Sequence, residues 1–389
     1  MSSAVRPEVN VTQIGEYVRH HSCERRFKLD VEAAHVAALP YYSTVFNFLD
    51  PVLHEKGRES EDAWEESLKK KGIADLTKHG TRPGDSKRTP WDEFVATIQS
   101  LTVGQDAYGR EISIGVNVSA FRLVGRIDFL LVLWQDGRPR LRIVECKSSR
   151  RDRTYQRLQV AIYKRMLREL LTACPIECGG EPLQLDEIEC VVARLDEDTN
   201  ERQDILALSP LDLWMKDTDI ERLLSQEGDL ARILSSGLDT LPYRIDPKCD
   251  DCRFNIHCLP ESARQRRLEL LGLVPTTAEA LRRAGISDLD TLADLDLASP
   301  EASAARRDNS LNESLEVLTH KAKARRSTLP KGGSSPDGYQ VEVLPFRYQS
   351  QLPQHTIGDE RLLRIYLTVH YDYTENRIGA ITAHVTRSD

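Results

Sequence analysis

The sequence predicts a mixed α/β fold, a central sheet flanked by helices, followed by a helical hairpin and a small β-rich segment. Three observations predict it. The apolar runs Phe129–Trp134 and Leu141–Val144 have the length and composition of buried strands. Gln135-Asp136-Gly137 between them carries a hairpin signal, so the second strand returns beside the first. From Arg153 to about Leu171 the chain has neither Gly nor Pro and reads as a helix.

Chemistry-bearing residues sit at the ends of these elements. Asp128 closes Gly125-Arg126-Ile127-Asp128 and opens the first strand, while Glu145 and Lys147 end the second. Residues two apart on a strand share a face, so Glu145 and Lys147 point one way and Cys146 the other. The hairpin carries Glu145 towards Asp128, and two carboxylates so placed share a hard divalent cation, magnesium or manganese, through oxygen. Such a cation lowers the pKa of a bound water and clamps phosphate oxygens, while Lys147 positions the water or stabilises transition-state charge. A purely structural strand seldom buries a charge where Glu145 stands. On the following helix Gln159 and Tyr163 are four apart and share a face, with Gln156 close to it.

This order of residues, strand Asp, strand Glu-x-Lys, then helical Gln-x-x-x-Tyr, resembles the active site of the PD-(D/E)XK nuclease superfamily and, within it, the RecB-like branch. The resemblance implies a restriction-endonuclease-like core with catalytic roles for Asp128, Glu145, Lys147, Gln159 and Tyr163, the last two contacting metal-site waters or substrate. It also implies an acid from an upstream helix. Gly57-Arg58-Glu59-Ser60-Glu61 resembles the family's Gly-x-x-x-His or Gly-x-x-x-Glu element, which makes Glu61 a metal ligand beside Asp128 and Glu145. The family's histidine is missing, although His54 is close by; Glu59 and Glu65 compete for the role on the same acidic helix, and a solvated acidic helix face is the structural alternative.

The cysteines form a second pattern. Of eight, Cys23 lies near the N-terminus in Ser22-Cys23-Glu24-Arg25-Arg26-Phe27, and Cys249, Cys252 and Cys258 follow as a compact trio. A single N-terminal cysteine and a later trio bracketing the core resemble the iron-sulfur subset of RecB-like nucleases, the CRISPR-associated iron-sulfur nucleases and the AddB nuclease part among them, and imply a 4Fe-4S cluster. Four thiolates also suit structural zinc, which remains the alternative. Either metal closes a long loop otherwise costly in chain entropy. Cys146, Cys174, Cys178 and Cys190 read as small buried hydrophobes.

Length and composition fit this picture. With 389 residues and 40% hydrophobic content, two or three domains are expected. No apolar run reaches membrane-spanning length, and Met1–Asn10 lacks a hydrophobic signal region, so a cytoplasmic protein without membrane partners is expected. The net charge of −8 argues against a general nucleic-acid coating protein. Locally the balance reverses: eleven Lys or Arg against two acids between Arg138 and Arg168. Arg150, Arg151 and Arg153, directly after the Glu-x-Lys strand, suit a phosphate backbone.

The expected organisation is a nuclease domain over 1–262, a helix-hairpin-helix-like region over 263–300, a charged helix (about 301–326) and linker over 301–338, and a β-rich segment over 339–389. In the second region Thr276 or Thr277 caps one helix, Gly285 stops it and Ser287 caps the next. Such a hairpin holds a phosphate backbone through its amides, or is a plain helical pair packed on the core. The last segment carries strand-like runs at Val341–Tyr348, Leu363–Tyr371 and Ile378–Val385, with Thr374–Arg377 as a turn. Asp372 is a strand-end acid or the catalytic acid of a further module, and no phosphate-binding Gly-x-x-x-x-Gly-Lys motif is present. The functional expectation is a metal-dependent DNA nuclease in repair, recombination or defence. It acts on DNA that is single-stranded or has single-stranded ends, with a helicase as a partner. The alternative is a non-catalytic iron-sulfur DNA-binding accessory subunit.

Overall fold

A computed structural model describes residues 6–32, 51–78, 89–147, 149, 151, 153–196, 201–242, 245, 247–249, 252–329, 363–372 and 377–387. Two compact units divide the chain, Met1–Tyr243 and Arg244–Asp389.

The first unit is built on a mixed sheet. Its elements in order are β1 (Glu8–Asn10), α1 (Val11–Arg19), α2 (Glu24–Val31), α3 (Pro51–Lys70), β2 (Ala74–Asp75), β3 (Thr89–Pro90), α4 (Trp91–Ile98), β4 (Ala107–Val118), β5 (Phe121–Gln135), β6 (Arg138–Cys146), α5 (Thr154–Ala173), β7 (Glu177–Cys178), β8 (Glu181–Pro182), β9 (Ile188–Ala193), α6 (Trp214–Leu224) and α7 (Asp229–Ser235). The sheet runs β2-β4-β5-β6-β9, with β1 added to β5 and β3 to β4. Strands β4, β5 and β6 form an antiparallel meander, whereas β6 and β9 are parallel. A parallel pair needs a crossover, and α5 supplies it. The β5–β6 turn is the expected one: Asp136 and Gly137 both have positive φ, at 53° and 76°, as a two-residue hairpin of matching twist requires.

Each face of the sheet buries its own core. On one, Ile112, Leu123, Ile127, Leu130 and Ile143 pack with Ile14 of α1 and Val160, Ile162 and Met166 of α5. On the other, Trp64 and Leu68 of α3 cover Tyr108, Phe129, Leu131 and Val144. Helix α1 starts at a capping box, the Asn10 amide donating to Gln13 Oε1 at 2.8 Å while Asn10 Oδ1 accepts from Thr12. Its end turns tightly into α2 through His21 and Ser22, both with positive φ.

The second unit contains α8 (Asn255–Arg264), α9 (Pro275–Arg283), α10 (Leu289–Ala293), α11 (Pro300–Arg306), α12 (Leu315–Ser327) and a hairpin of β10 (Leu363–Asp372) and β11 (Arg377–Arg387). Leu281, Ile286, Leu289, Leu292, Leu315 and Leu318 form a core of their own. Gly285, at φ 88°, ends α9 as expected. The caps differ from expectation. Pro275 occupies the first turn of α9, and Thr277 is buried with its hydroxyl donating to Ser310 O at 2.8 Å. Asp288, not Ser287, caps α10, accepting from Thr291 N at 2.8 Å, because its extended backbone directs the carboxylate onto the first turn. The expected single helix over 301–326 is two, broken where Asp308 Oδ1 accepts from Ser310 N and resumed where Ser314 caps α12. Val341–Tyr348 and most of the turn after Asp372 lie outside the described residues. Among the described residues no helix is long and apolar enough to cross a membrane.

Candidate active site

The site lies where strand pairing on one side of β5 forks. Residues 122–124 of β5 pair with β1 and residues 129–135 with β6, so Gly125–Asp128 falls between the two partners. Tyr163 of α5 fills the interval: its hydroxyl donates to Arg126 O at 2.8 Å and accepts from Arg126 N at 3.3 Å. One side chain thus satisfies a backbone donor and acceptor that a strand would otherwise take. The approach is close enough that a Cβ on Gly125 would stand 2.6 Å from Tyr163 Cε1 and 3.0 Å from Val11 Cγ2. At the other prong, Asp128 Oδ2 accepts from Cys146 N at 2.7 Å, and β6 continues on β9 alone, with Lys147 N donating to Ala193 O at 2.8 Å.

Across the strand, the β4–β5 ladder breaks at the same level. Arg110 pairs with Phe129 and Ile112 with Ile127, but no pairing joins Glu111 to Asp128. Glu111 has φ 56°, a left-handed conformation that costs a non-glycine residue roughly 1–2 kcal/mol. Alternation slips on both strands there: Ile127 and Leu130 share one core while Phe129 joins the other, and Ile112 departs from Tyr108 in the same way. In consequence one carboxylate oxygen each from Glu61 on α3, Glu111 and Asp128 lie within 4.8 Å of one another.

Glu145 is 4% exposed and Lys147 is half-buried beside it. Lys147 Nζ donates to Glu145 Oε1 at 2.5 Å, and Glu145 Oε2 has no hydrogen-bond partner among the described residues. The expected common direction of Glu145 and Lys147 is therefore present. Burial pushes the Glu145 carboxyl up to about 7, reinforced by Asp128 and partly offset by Lys147. Burial likewise raises Asp128 against the pull of Lys147, raises Glu61 together with the charge of Asp128, and raises Glu111 to about 7 although Arg126 opposes it. Burial works against the Lys147 charge, but Glu145 and Asp128 outweigh it and the pKa rises.

Arginines hold this acidic cluster in place. Arg110 is 3% exposed and donates to Glu61 at 2.9 Å, to Glu65 at 2.7 Å and to Asp62, clamping α3 onto β4. Arg126 pairs with Glu111 at 2.5 Å. Glu65, a competitor of Glu61 in the sequence, is buried on Arg110 and Lys69, while Glu59 is exposed; neither joins the close group. Gln159 is buried with Oε1 lacking a partner, and Gln156 Nε2 reaches Ser149 Oγ at 3.3 Å. Arg151 and Arg153 are exposed after β6; Arg150 lies outside the described residues. Glu111 went unrecognised in the sequence; its one signal is an acid inside the strand-like run Ala107–Val118.

Cys23 stands at the N-terminus of α2, in the first unit. In the second, Cys252 N donates to Cys249 O at 3.1 Å across one turn, and Cys258 is buried on α8.

Comparison with known proteins adds the following. Residues 32–259 match the PD-(D/E)XK nuclease superfamily. No curated protein matches the chain. Among solved structures the chain is similar to the crystal structure of SSO0001, at 17% identity, with 66% of this chain and 89% of that one covered and a TM-score of 0.31. The family match spans more than half of the sequence and includes Glu61, Asp128, Glu145 and Lys147: this chain belongs to the PD-(D/E)XK nuclease superfamily.

Proposed function

We propose that this chain is a magnesium- or manganese-dependent deoxyribonuclease of the RecB-like branch, with Glu61, Asp128 and Glu145 as cation ligands and Lys147 as the catalytic cation. The observation that carries this reading is the buried Glu145 Oε2, which has no hydrogen-bond partner although Asp128 and Glu61 crowd it electrostatically. A buried carboxylate oxygen without a partner costs about 1–3 kcal/mol or more, and a hard divalent ion is the group that offsets it. Oxygen-only donors with raised pKa values fit such an ion. When bound, it would withdraw charge from the scissile phosphate and acidify a water.

The chain's own residues supply the rest. Asp128, fixed by Cys146 N, and Glu145, fixed by Lys147, present oxygens on rigid strands. Lys147, whose charge both acids reinforce, stabilises negative charge on the reacting phosphate. Tyr163 positions β5 through Arg126, and the buried Gln159 amide is directed to water or substrate. Arg150, Arg151 and Arg153 receive the DNA backbone. Single-stranded DNA, or DNA with single-stranded ends, is the proposed substrate, with repair, recombination or defence as the setting and a helicase as a partner.

Cys23, Cys249, Cys252 and Cys258 are the proposed ligands of a 4Fe-4S cluster. Their order in the sequence and the soft donor set support this, and zinc is the competing occupant. A brown purified protein that loses visible absorption on Cys252→Ser supports the cluster; stoichiometric zinc after anaerobic purification overturns it. The nuclease reading is tested with end-labelled single-stranded, duplex and flapped DNA, with and without manganese. Cleavage that survives intact in Glu145→Ala overturns it.

A further inference from the structure

We infer that the open face of β4 and β5 is the track of the substrate DNA strand, on which Arg126 receives the phosphodiester beside the acid cluster and Arg122 one further along the same strand. The inference rests on the nuclease reading above and deepens it by naming where the substrate lies.

Alternation and burial define the track. Ile112, Ile114, Val116 and Val118 of β4, with Leu123 and Ile127 of β5, pack into the core shared with α1 and α5. The residues between them, Ser113, Gly115 and Asn117 on β4 and Arg122, Val124 and Arg126 on β5, therefore point to the opposite face. Helix α3 covers that face over Tyr108, Phe129, Leu131 and Val144, and its carboxylates hold Arg110. Beyond Arg110 the described residues leave it open: Gly115, Asn117, Arg122 and Arg126 are exposed, Ser113 and Val124 half-buried. An antiparallel sheet commonly faces water on one side, so the charge of this face decides what it suits. Arg126 stands opposite Ser113 and Arg122 opposite Asn117, and none of the six residues is acidic in a chain whose net charge is −8.

The fold uses these two cations sparingly. Arg110 has a side chain 4% exposed and serves three acids, whereas that of Arg126 is 55% exposed and meets Glu111 at Nε, which leaves four N–H donors on its terminal nitrogens. Arg122, 52% exposed, pairs at 3.2 Å with Glu8, itself 61% exposed, a surface contact worth little. Tyr163 holds the Arg126 backbone through both N and O, so the guanidinium is presented from a fixed point two residues before Asp128. A planar guanidinium matches phosphate oxygens with two parallel hydrogen bonds. Four residues of strand separate the arginines by about 13 Å, a single file of cations that fits different phosphates of one backbone.

The test is the salt dependence of binding of fluorescein-labelled oligo(dT) to the full chain in EDTA at pH 7, where metal-dependent cleavage is off. Each lost phosphate contact on a single strand lowers the slope of log affinity against log salt by about 0.7. Arg126→Gln and Arg122→Gln are each expected to lose about that much and to bind more weakly, while Arg138→Gln, the same charge change in the turn at the far end of β5, keeps the wild-type slope. Circular dichroism checks folding. Should Arg126→Gln not fold, Arg126→Lys keeps a point charge and loses the fork, and is expected to keep the slope while affinity falls. An unchanged slope in folded Arg122→Gln or Arg126→Gln, unchanged affinity in Arg126→Lys, or an equal loss in Arg138→Gln overturns the inference. The nuclease reading fails separately: a chain that shows these slopes and cleaves no DNA with manganese keeps the track and loses the activity.

Discussion

The two units treat charge in opposite ways. In the helical unit, charged side chains pair at the surface: Arg283 with Asp308 at 2.6 Å, Arg306 with Glu316 at 2.5 Å, Arg326 with Asp294 at 2.5 Å. At the fork in the first unit, Glu61, Glu111, Asp128 and Glu145 are drawn together and partly or wholly buried, and all four resist ionisation. Surface pairs are solvated, screened and worth little. Buried carboxylates in a cluster carry an electrostatic cost that helix and strand packing must sustain until a cation arrives. The contrast locates where the molecule accepts instability, and that place is the proposed reactive centre.

The largest effect is expected from Glu145→Ala. Removing a proposed cation ligand is expected to cut cleavage at least about 10³-fold, the equivalent of about 4 kcal/mol of transition-state stabilisation. Removing a buried carboxylate oxygen without a partner should also raise the melting temperature of the metal-free protein. Opposite signs in activity and stability mark a functional residue, and a fall in both would mark a structural one. Arg110→Ala should act the other way. It leaves Glu65 and Glu61 without their buried cation, and a loss of about 3–5 kcal/mol in denaturant unfolding is expected. Tyr163→Phe strips Arg126 of its hydroxyl partner; a loss of about 1–3 kcal/mol, with reduced cleavage as Asp128 shifts, is the expected result.

The pH dependence sharpens the same contrast. A carboxyl raised on folding from 4.5 to about 7, as for Glu145 and Glu111, holds its proton more tightly in the folded than in the unfolded chain. Its contribution to stability is complete below about pH 4.5 and is lost as pH rises through 7. Metal-free protein should therefore melt lower at pH 8 than at pH 5.5, and manganese should restore the difference at pH 8 by binding the folded state. A melting temperature independent of manganese at pH 8 would remove the cation from the account.

The sequence discloses the parts of this site that local rules govern. Asp128, Glu145 and Lys147 follow from strand alternation and an Asp-Gly turn, both set by a few neighbouring residues. Gln159 and Tyr163 share a helix face by spacing, yet that Tyr163 would replace a strand at Arg126 depends on β1 and β6 ending where they do. The choice of Glu61 came only through resemblance, since Glu59, Glu61 and Glu65 are equivalent in the sequence; in the fold Glu59 is exposed, Glu65 is buried on Arg110 and Lys69, and Glu61 lies beside Asp128. Glu111 was hidden because a regular strand pattern gives no warning of a left-handed residue within it. The split of 301–326 into α11 and α12 has the same origin: Asp308 and Ser314 act through their own backbone geometry, which charge and helical composition do not reveal.

The smallest effect is expected in the helical unit, and its smallness is informative. Arg283 is exposed and donates to Asp308, whose carboxyl is lowered from 3.8 to about 2 by that bond and by the Ser310 amide. A lowered carboxyl contributes stability above about pH 3.8 that disappears as pH falls through about 2, the reverse of Glu145. Solvent and salt screen an exposed pair, so Arg283→Ala should leave the melting curve unchanged within error at pH 7 and 0.15 M salt. If a destabilisation is measured at low salt, it should be largely lost by pH 2 and vanish at 1 M salt. A loss that persists at 1 M salt would mean that Arg283 acts through packing of its alkyl stem rather than through charge. The helical unit would then store more in its side chains than a solvated surface does, and the contrast with the fork would narrow to the carboxylates alone.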